Sequence, residues 1–164
     1  MPRADAATAF RLERFLPYRL SVLANTASRA LARVYAKRFG LSVIEWRVIA
    51  NLARFAPLSA NQVAQRAAMD KVQVSRAVAK LRRKGMVERA TDADDRRRSA
   101  LRLTQRGRET HDAIVPLARE VEGKLLAGLT AADRAALDRL LAAVLLRAAS
   151  LEAGQDSEPP RDGQ

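Results

Sequence analysis

Thirteen cationic side chains stand between Lys71 and Arg108: Lys71, Arg76, Lys80, Arg82, Arg83, Lys84, Arg89, Arg96, Arg97, Arg98, Arg102, Arg106 and Arg108. Only Glu88, Asp92, Asp94 and Asp95 oppose them, so this segment carries +9 of the chain's net +12. The chemistry open to such a cluster is multivalent contact with a polyanion, in which each neutralised phosphate releases counterions. Two residue types in it can also read base edges. Arginine can make two bonds to guanine O6 and N7, and glutamine two to adenine. The group Lys71, Gln73, Ser75 and Arg76 therefore stands out as a reading head, flanked by Lys80. Arg83 and Lys84, further along, are expected to meet phosphate.

Elements that position these residues follow from the local pattern. Val74, Ala77, Val78 and Leu81 fall at i, i+3, i+4 and i+7 and share one face of a helix. The polar and basic residues occupy the other face. Asp70 is placed to cap that helix and Gly85 to end it. Met86–Ala90 and Ser99–Thr104 read as strands, the second alternating Leu101, Arg102 and Leu103. The turn between them, TDADDRRR, is too polar to pack. Helix, strand, charged turn, strand is the order of a winged helix.

Upstream, Ser42 with Glu45 and Ser59 with Gln62 have the spacing of two capping boxes. They open a helix buried through Ile44, Val48, Ile49 and Leu52 and a short one buried through Val63, Ala64 and Ala67. A turn of about two residues at Ala68–Met69 joins the short helix to the basic one, as in a helix-turn-helix. Pro17 opens a long N-terminal helix that Gly40 ends. Thr104 caps another running to about Leu126, with Pro116 placed to bend it, and Thr130 with Asp133 caps a last one. That last helix carries Leu137, Leu140, Leu141, Val144, Leu145 and Ala148. The terminal helices present more apolar surface than a domain of this size buries, and a two-fold dimer is the natural use of it. The organisation expected is a loose leader at 1–9, a dimerisation helix at 10–40 and a winged helix-turn-helix at 41–104. Dimerisation helices follow at 105–150, then a disordered tail at 151–164. The fold class is mainly α with a small β-wing.

Other classes of function find little support. The chain has no cysteine and one histidine, His111. Thiolate metal sites, disulfides and thiol switching go with the cysteines. No glycine-rich phosphate loop, metal-ligand spacing or nucleophile constellation is present, so neither catalysis nor a cofactor is expected. Asp133, Asp138, Glu120 and Glu122 are explained by capping and helix-surface solvation. No apolar run reaches the length of a membrane span. Arg3, Asp5, Arg11, Glu13 and Arg14 interrupt any signal-peptide core, and the expected location is the cytoplasm with no membrane partner.

The layout from Pro17 to Ala149 resembles the MarR family of bacterial transcriptional regulators. The resemblance is carried by EWRVIANL at Glu45–Leu52, LSANQVAQRAAMDKVQVSRAVAKLRRKGMV at Leu58–Val87 and DADDRRRSALRLTQRG at Asp92–Gly107. It implies an obligate dimer of winged helix-turn-helix domains on the double-stranded DNA of a pseudo-palindromic operator. It further implies that Arg97 reaches into the minor groove, where narrow A·T tracts attract guanidinium, and that Asp95 steadies the wing. Arg96 and Arg98 then meet phosphate or solvent. Ala93 departs from the proline common there, which implies a slightly more mobile wing. The family's small-molecule pocket, between the dimer helices and the DNA-binding domain, points to Tyr18, Arg19, Trp46, Arg47 and His111. The opening PYRLSVLANTASRALARVYAKRFGLS is similar to a branch associated with aromatic acids or their acyl-CoA thioesters. The resulting expectation is a repressor released by a small-molecule effector. The alternative is an architectural or non-specific nucleic-acid binder without an effector.

Overall fold

The computed structural model describes residues 10–91 and 99–155. After a short 3-10 turn at Leu12–Arg14 comes α1 (Leu16–Phe39), with Pro17 in its first turn and Gly40 as its C-cap. Next are α2 (Val43–Phe55), α3 (Ala60–Arg66) and α4 (Lys71–Arg83). Strands β1 (Val87–Thr91) and β2 (Ser99–Leu103) follow, then α5 (Gln105–Leu125) and α6 (Ala131–Gln155). The fold is mainly helical with a small antiparallel sheet, as the sequence pattern implied.

The starts of α2, α3 and α4 are set by side-chain caps. Ser42 Oγ accepts from the Glu45 amide at 3.2 Å while Glu45 Oε2 accepts from the Ser42 amide at 2.7 Å. Ser59 and Gln62 repeat this reciprocity at 3.2 and 2.7 Å. Asp70 Oδ1 accepts from the Gln73 amide at 2.8 Å. Caps of this kind contribute about 1 kcal/mol each, enough to fix the first turn of helices as short as α3. The chain reverses between α3 and α4 through Ala68, which takes a left-handed φ of +48°. It leaves α4 through Gly85 at φ +68°, where the Met86 amide reaches back to the Leu81 carbonyl at 2.9 Å. That left-handed exit points Met86 and Val87 inward.

Strands β1 and β2 pair from Val87↔Leu103 to Thr91↔Ser99. Leu58 adds a bridge on the outer side of β2, exchanging both backbone bonds with Leu101. A lone bridging residue between two helices leaves no alternation to read, so no sequence pattern marks it. Beyond β2, Thr104 Oγ1 donates to the Gly85 carbonyl at 2.7 Å and accepts from the Gly107 amide at 3.1 Å. Gly107 is buried in the first turn of α5. A methyl group there would overlap the Met86 carbonyl oxygen and press on the Leu103 side chain. Thr104 and Gly107 thus seat α5 against the α4–β1 turn.

The core of this unit gathers Val48, Ile49 and Leu52 from α2, Val63 and Ala64 from α3, and Val74, Ala77, Val78 and Leu81 from α4. Met86, Val87, Leu101 and Leu103 close it from the sheet side, and Tyr35, Leu41, Leu58 and Ile114 complete it. The buried faces expected for α2 and α4 are the observed ones, except that Ile44 is only half-buried. In α1 only Tyr35 is fully buried, while Leu23 is exposed.

A second compact unit begins at Gly123. Its helix α6 opens on a reciprocal cap: the Asp133 amide donates to Thr130 Oγ1 at 3.1 Å and the Thr130 amide to Asp133 Oδ2 at 3.0 Å. The helix continues to Gln155, past residue 151 where a tail was expected. The stretch Leu151–Glu152–Ala153 holds good helix formers, and no breaker precedes Gly154. Leu140, Leu141, Val144, Leu145, Leu146 and Leu151 are all exposed on it. At about 100° per residue five of them span roughly 140° of the helix surface, and Leu146 lies about 100° beyond.

Candidate nucleic-acid interface

Helix α4 divides cleanly. Val74, Ala77, Val78 and Leu81 are buried against α2 and α3, holding the helix by a face about 100° wide. All six residues expected to touch DNA from this helix, Lys71, Gln73, Ser75, Arg76, Lys80 and Arg83, are exposed. Ala79, Arg82 and Arg83 line an open groove along the same side. Among the described residues, no side-chain hydrogen bond or ion pair engages Arg76, Lys80, Arg82 or Arg83, so their donors face outward unoccupied. The capped, immobilised helix therefore offers a row of cations with two bidentate-capable side chains, Gln73 and Arg76, in its first half. Phosphate contact and major-groove readout need this arrangement.

The hairpin that would carry the wing is in place up to Thr91↔Ser99. Asp95, Arg96, Arg97 and Arg98 lie outside the described residues.

Lys84 departs from its expected role. Its Nζ donates to Glu45 Oε1 at 2.7 Å and to the Gly40 carbonyl at 2.8 Å, so its ammonium serves the interior of the domain and not a phosphate. Burial pushes the Glu45 carboxyl up, but the Lys84 ammonium and the Ser42 amide and hydroxyl outweigh it, and the group lies below its ordinary 4.5. The signal was available: a capping glutamate uses one carboxylate oxygen, and a buried glutamate requires a cation for the other.

Two of the five candidate effector residues, Trp46 and His111, meet, and a third, Arg47, lies within electrostatic reach of the neighbouring Tyr35. Trp46 stacks on His111 with ring centroids 5.8 Å apart and planes 19° from parallel. The Tyr35 ring also lies 5.8 Å from that of Trp46. Arg47 Nη2 donates to Ser28 Oγ at 3.1 Å, and His111 Nδ1 lies 2.8 Å from Asp112 Oδ1. Tyr35 is fully buried, yet its hydroxyl has no hydrogen-bond partner among the described residues. Burial pushes this phenol up to about 12, with Arg47 pulling the other way. No sequence pattern marks the orphaned hydroxyl, because burial of the ring and satisfaction of the oxygen are separate questions. Tyr18 and Arg19 do not join this group. Both are exposed on the first turns of α1, seventeen and sixteen residues before Tyr35 and so about 25 Å away along the helix.

Among the described residues no cluster of His, Cys, Asp and Glu is arranged to hold a metal, and no helix is long and apolar enough to cross a membrane.

Residues 39–98, which contain α2, α3, α4 and β1, match the model of the MarR family. The transcriptional repressor NicR of Pseudomonas putida is 28% identical over 101 residues, 62% of this chain and 64% of NicR. The repressor IacR of Pseudomonas putida is 26% identical over 139 residues, covering 85% and 83% of the two chains. The crystal structure of a MarR/EmrR family transcriptional regulator from Acinetobacter sp. ADP1 superposes with a TM-score of 0.79 at 28% identity, covering 86% of this chain and 99% of that one. With its capped helix α4, its hairpin and the match over residues 39–98, the chain has the fold of the winged helix-turn-helix proteins of the MarR family and is similar to that family over this segment.

Proposed function

We propose that the protein is a dimeric, sequence-specific DNA-binding repressor, released from its operator by a small-molecule effector. The observation that carries this reading is the outward face of α4, where Lys71, Gln73, Ser75, Arg76, Lys80 and Arg83 stand exposed on a helix locked by its other side. Arg76 and Gln73 read bases in the major groove, Lys80 and Arg83 hold phosphates, and Arg97 in the wing enters the minor groove beside Asp95. The two repressors among its relatives support the direction of regulation. The exposed leucines of α6 and, separately, the exposed apolar residues Leu16, Tyr18, Val22 and Leu23 of α1 are the surfaces a second copy would cover. Two copies then present two recognition helices about 34 Å apart to successive major grooves.

The effector reading rests on the Tyr35–Trp46–His111 group with Arg47 beside it. Aromatic faces, an unpaired hydroxyl and a guanidinium suit an aromatic acid or its thioester. Binding there needs to favour one dimer spacing over another by only about 1–3 kcal/mol.

Fluorescence anisotropy on duplexes from the protein's own promoter, against scrambled DNA at fixed salt, tests the first half. A specific regulator prefers its site by about 10³-fold or more. Arg76→Ala is expected to relax selectivity at one base position by about 1–3 kcal/mol, and Arg83→Ala to weaken all sequences alike and lower the salt slope by about 1. Equal, steeply salt-dependent binding to both duplexes would instead establish the architectural reading. The second half is tested by adding aromatic acids to the complex, with Tyr35→Phe as the variant that loses the response while remaining folded.

A further inference from the structure

The ammonium of Lys84 stands where three helix ends meet. It belongs to the C-cap residue of α4 and donates to the C-cap carbonyl of α1 at Gly40, 2.8 Å away, and to Glu45 in the first turn of α2, 2.7 Å away. The Glu45 carboxylate is almost wholly buried, and its other oxygen is held by the Ser42 amide at 2.7 Å. The partners lie 44 and 39 residues from Lys84 in sequence. The carbonyl end of a helix is its negative pole, so one cation closes the end of α1 and binds it to the end of the recognition helix. Charge-assisted bonds of this length are among the stronger polar contacts available to a protein.

We propose that Lys84, through Gly40 and Glu45, is the positioning residue that fixes the recognition helix to α1 and so sets which half-site spacing the dimer accepts. The proposal rests on the DNA-binding reading above. Its mechanical basis is leverage. Helix α1 has 24 residues and is about 36 Å long. A rotation of about 5° at its Gly40 end moves its far end by about 3 Å, close to the rise of one base pair at about 3.4 Å. At the Gly40 end the Lys84 contacts resist that rotation, together with the buried Tyr35 ring and the Arg47–Ser28 hydrogen bond further back along α1. Lys84 contributes to binding by aiming the helix, without touching DNA.

The test uses the full chain and duplexes carrying two half-sites selected by the wild-type protein from a random-sequence pool. Their centre-to-centre distance is varied by one and two base pairs either side of the preferred value. Wild type, Lys84→Met, Glu45→Gln and the double variant are titrated by anisotropy at several salt concentrations. Glu45→Gln keeps an oxygen for the Ser42 amide but turns a donor towards Lys84, so it breaks the ion pair without removing the cap. The expected result is that both single variants keep the selected half-site sequence but lose on the order of tenfold of the discrimination between spacings. The double variant loses no more than either, as members of one network do. Lys84→Arg recovers part of the discrimination. Spacing discrimination unchanged from wild type in Glu45→Gln and in folded Lys84→Met would overturn the proposal. So would a uniform loss at every spacing with a salt slope lower by about 0.9, the mark of a phosphate contact. A wild-type protein that selects no paired half-sites would overturn the DNA-binding reading itself, and this proposal with it.

Discussion

Helix α6 gives the sharpest handle on assembly. Leu141 and Leu145 are one turn apart, so their side chains share a patch, and they are 39% and 69% exposed in the single chain. Together that is about one whole leucine side chain left in water. Burying one leucine contributes about 1.5–3 kcal/mol, and a two-fold axis doubles the effect to about 3–6 kcal/mol per dimer. Truncating both to alanine should therefore raise the dimer dissociation constant by roughly 10² to 10⁴-fold. Sedimentation equilibrium over a range of concentrations reads this directly. The melting temperature of the double variant should also depend on concentration more steeply than that of wild type, because dissociation and unfolding are linked. The winged helix unit has its own core and should keep its helical signal. A double variant with the wild-type dissociation constant would refute the reasoning: the exposed leucines of α6 would then not be covered by a second copy.

Four further outcomes follow from individual residues. Gly107→Ala should destabilise by about 1–3 kcal/mol, because the Met86 carbonyl cannot rotate away from an added methyl; helix propensity alone predicts a gain of up to about 1 kcal/mol, so the sign of the shift in denaturant midpoint decides. Ala68→Gly should stabilise by about 0.5–1 kcal/mol in the same assay, since relief of the left-handed φ outweighs the added freedom of the unfolded chain. Glu45 is depressed below 4.5 in the folded chain, so its contribution is complete above that pH and is lost as the pH falls below it; Glu45→Gln should flatten this limb of a stability–pH curve. The Tyr35 phenol is raised from 10.0 to about 12, so stability is complete below pH 10 and falls as the pH climbs towards 12. Tyr35→Phe should remove that alkaline loss and be neutral or stabilising by up to about 2 kcal/mol at neutral pH, because it deletes an oxygen that has no partner; a clear destabilisation would show the hydroxyl to be satisfied.

What the sequence made legible was whatever depends on neighbours in the chain. The caps at Ser42, Ser59, Asp70 and Thr130 are local hydrogen bonds with fixed spacing, and each forms where the residue types require it. The buried stripe of α4 follows from a 3.6-residue period, and its complement is the exposed face bearing Arg76. What escaped was set by contacts far apart in sequence. Nothing local says that Lys84, alone among adjacent cations, turns inward to Gly40 and Glu45. Nothing local places Tyr35, Trp46 and His111 together, since they come from α1, α2 and α5. The family resemblance pointed to Tyr18 and Arg19 alongside Trp46, and the length of α1 separates them from the Tyr35–Trp46–His111 group. The glycine of the wing's closing motif was visible as a pattern, but its cause, the approach of α5 to the Met86 carbonyl, is a tertiary fact.

The same distinction alters how the basic segment should be counted. A net +9 between Lys71 and Arg108 measures what the segment contains, not what it can offer a phosphate. Lys84 is occupied by Glu45 and Gly40. Arg108 is occupied as well: its Nη1 donates to the Leu103 carbonyl at 2.7 Å and its Nη2 to Gln105 Oε1 at 3.0 Å, tying the first turn of α5 to the end of β2. Both cations build the scaffold that aims the others. The cations of α4 that remain, Lys71, Arg76, Lys80, Arg82 and Arg83, lie on one exposed arc of a single rigid helix, where one docking event can engage several of them at once. Affinity for a polyanion grows with the number of charges engaged simultaneously. A smaller set held in register on one helix therefore makes a better surface for a polyanion than the same count scattered along the chain, and the contacts of Lys84 and Arg108 within the fold help hold that set in register.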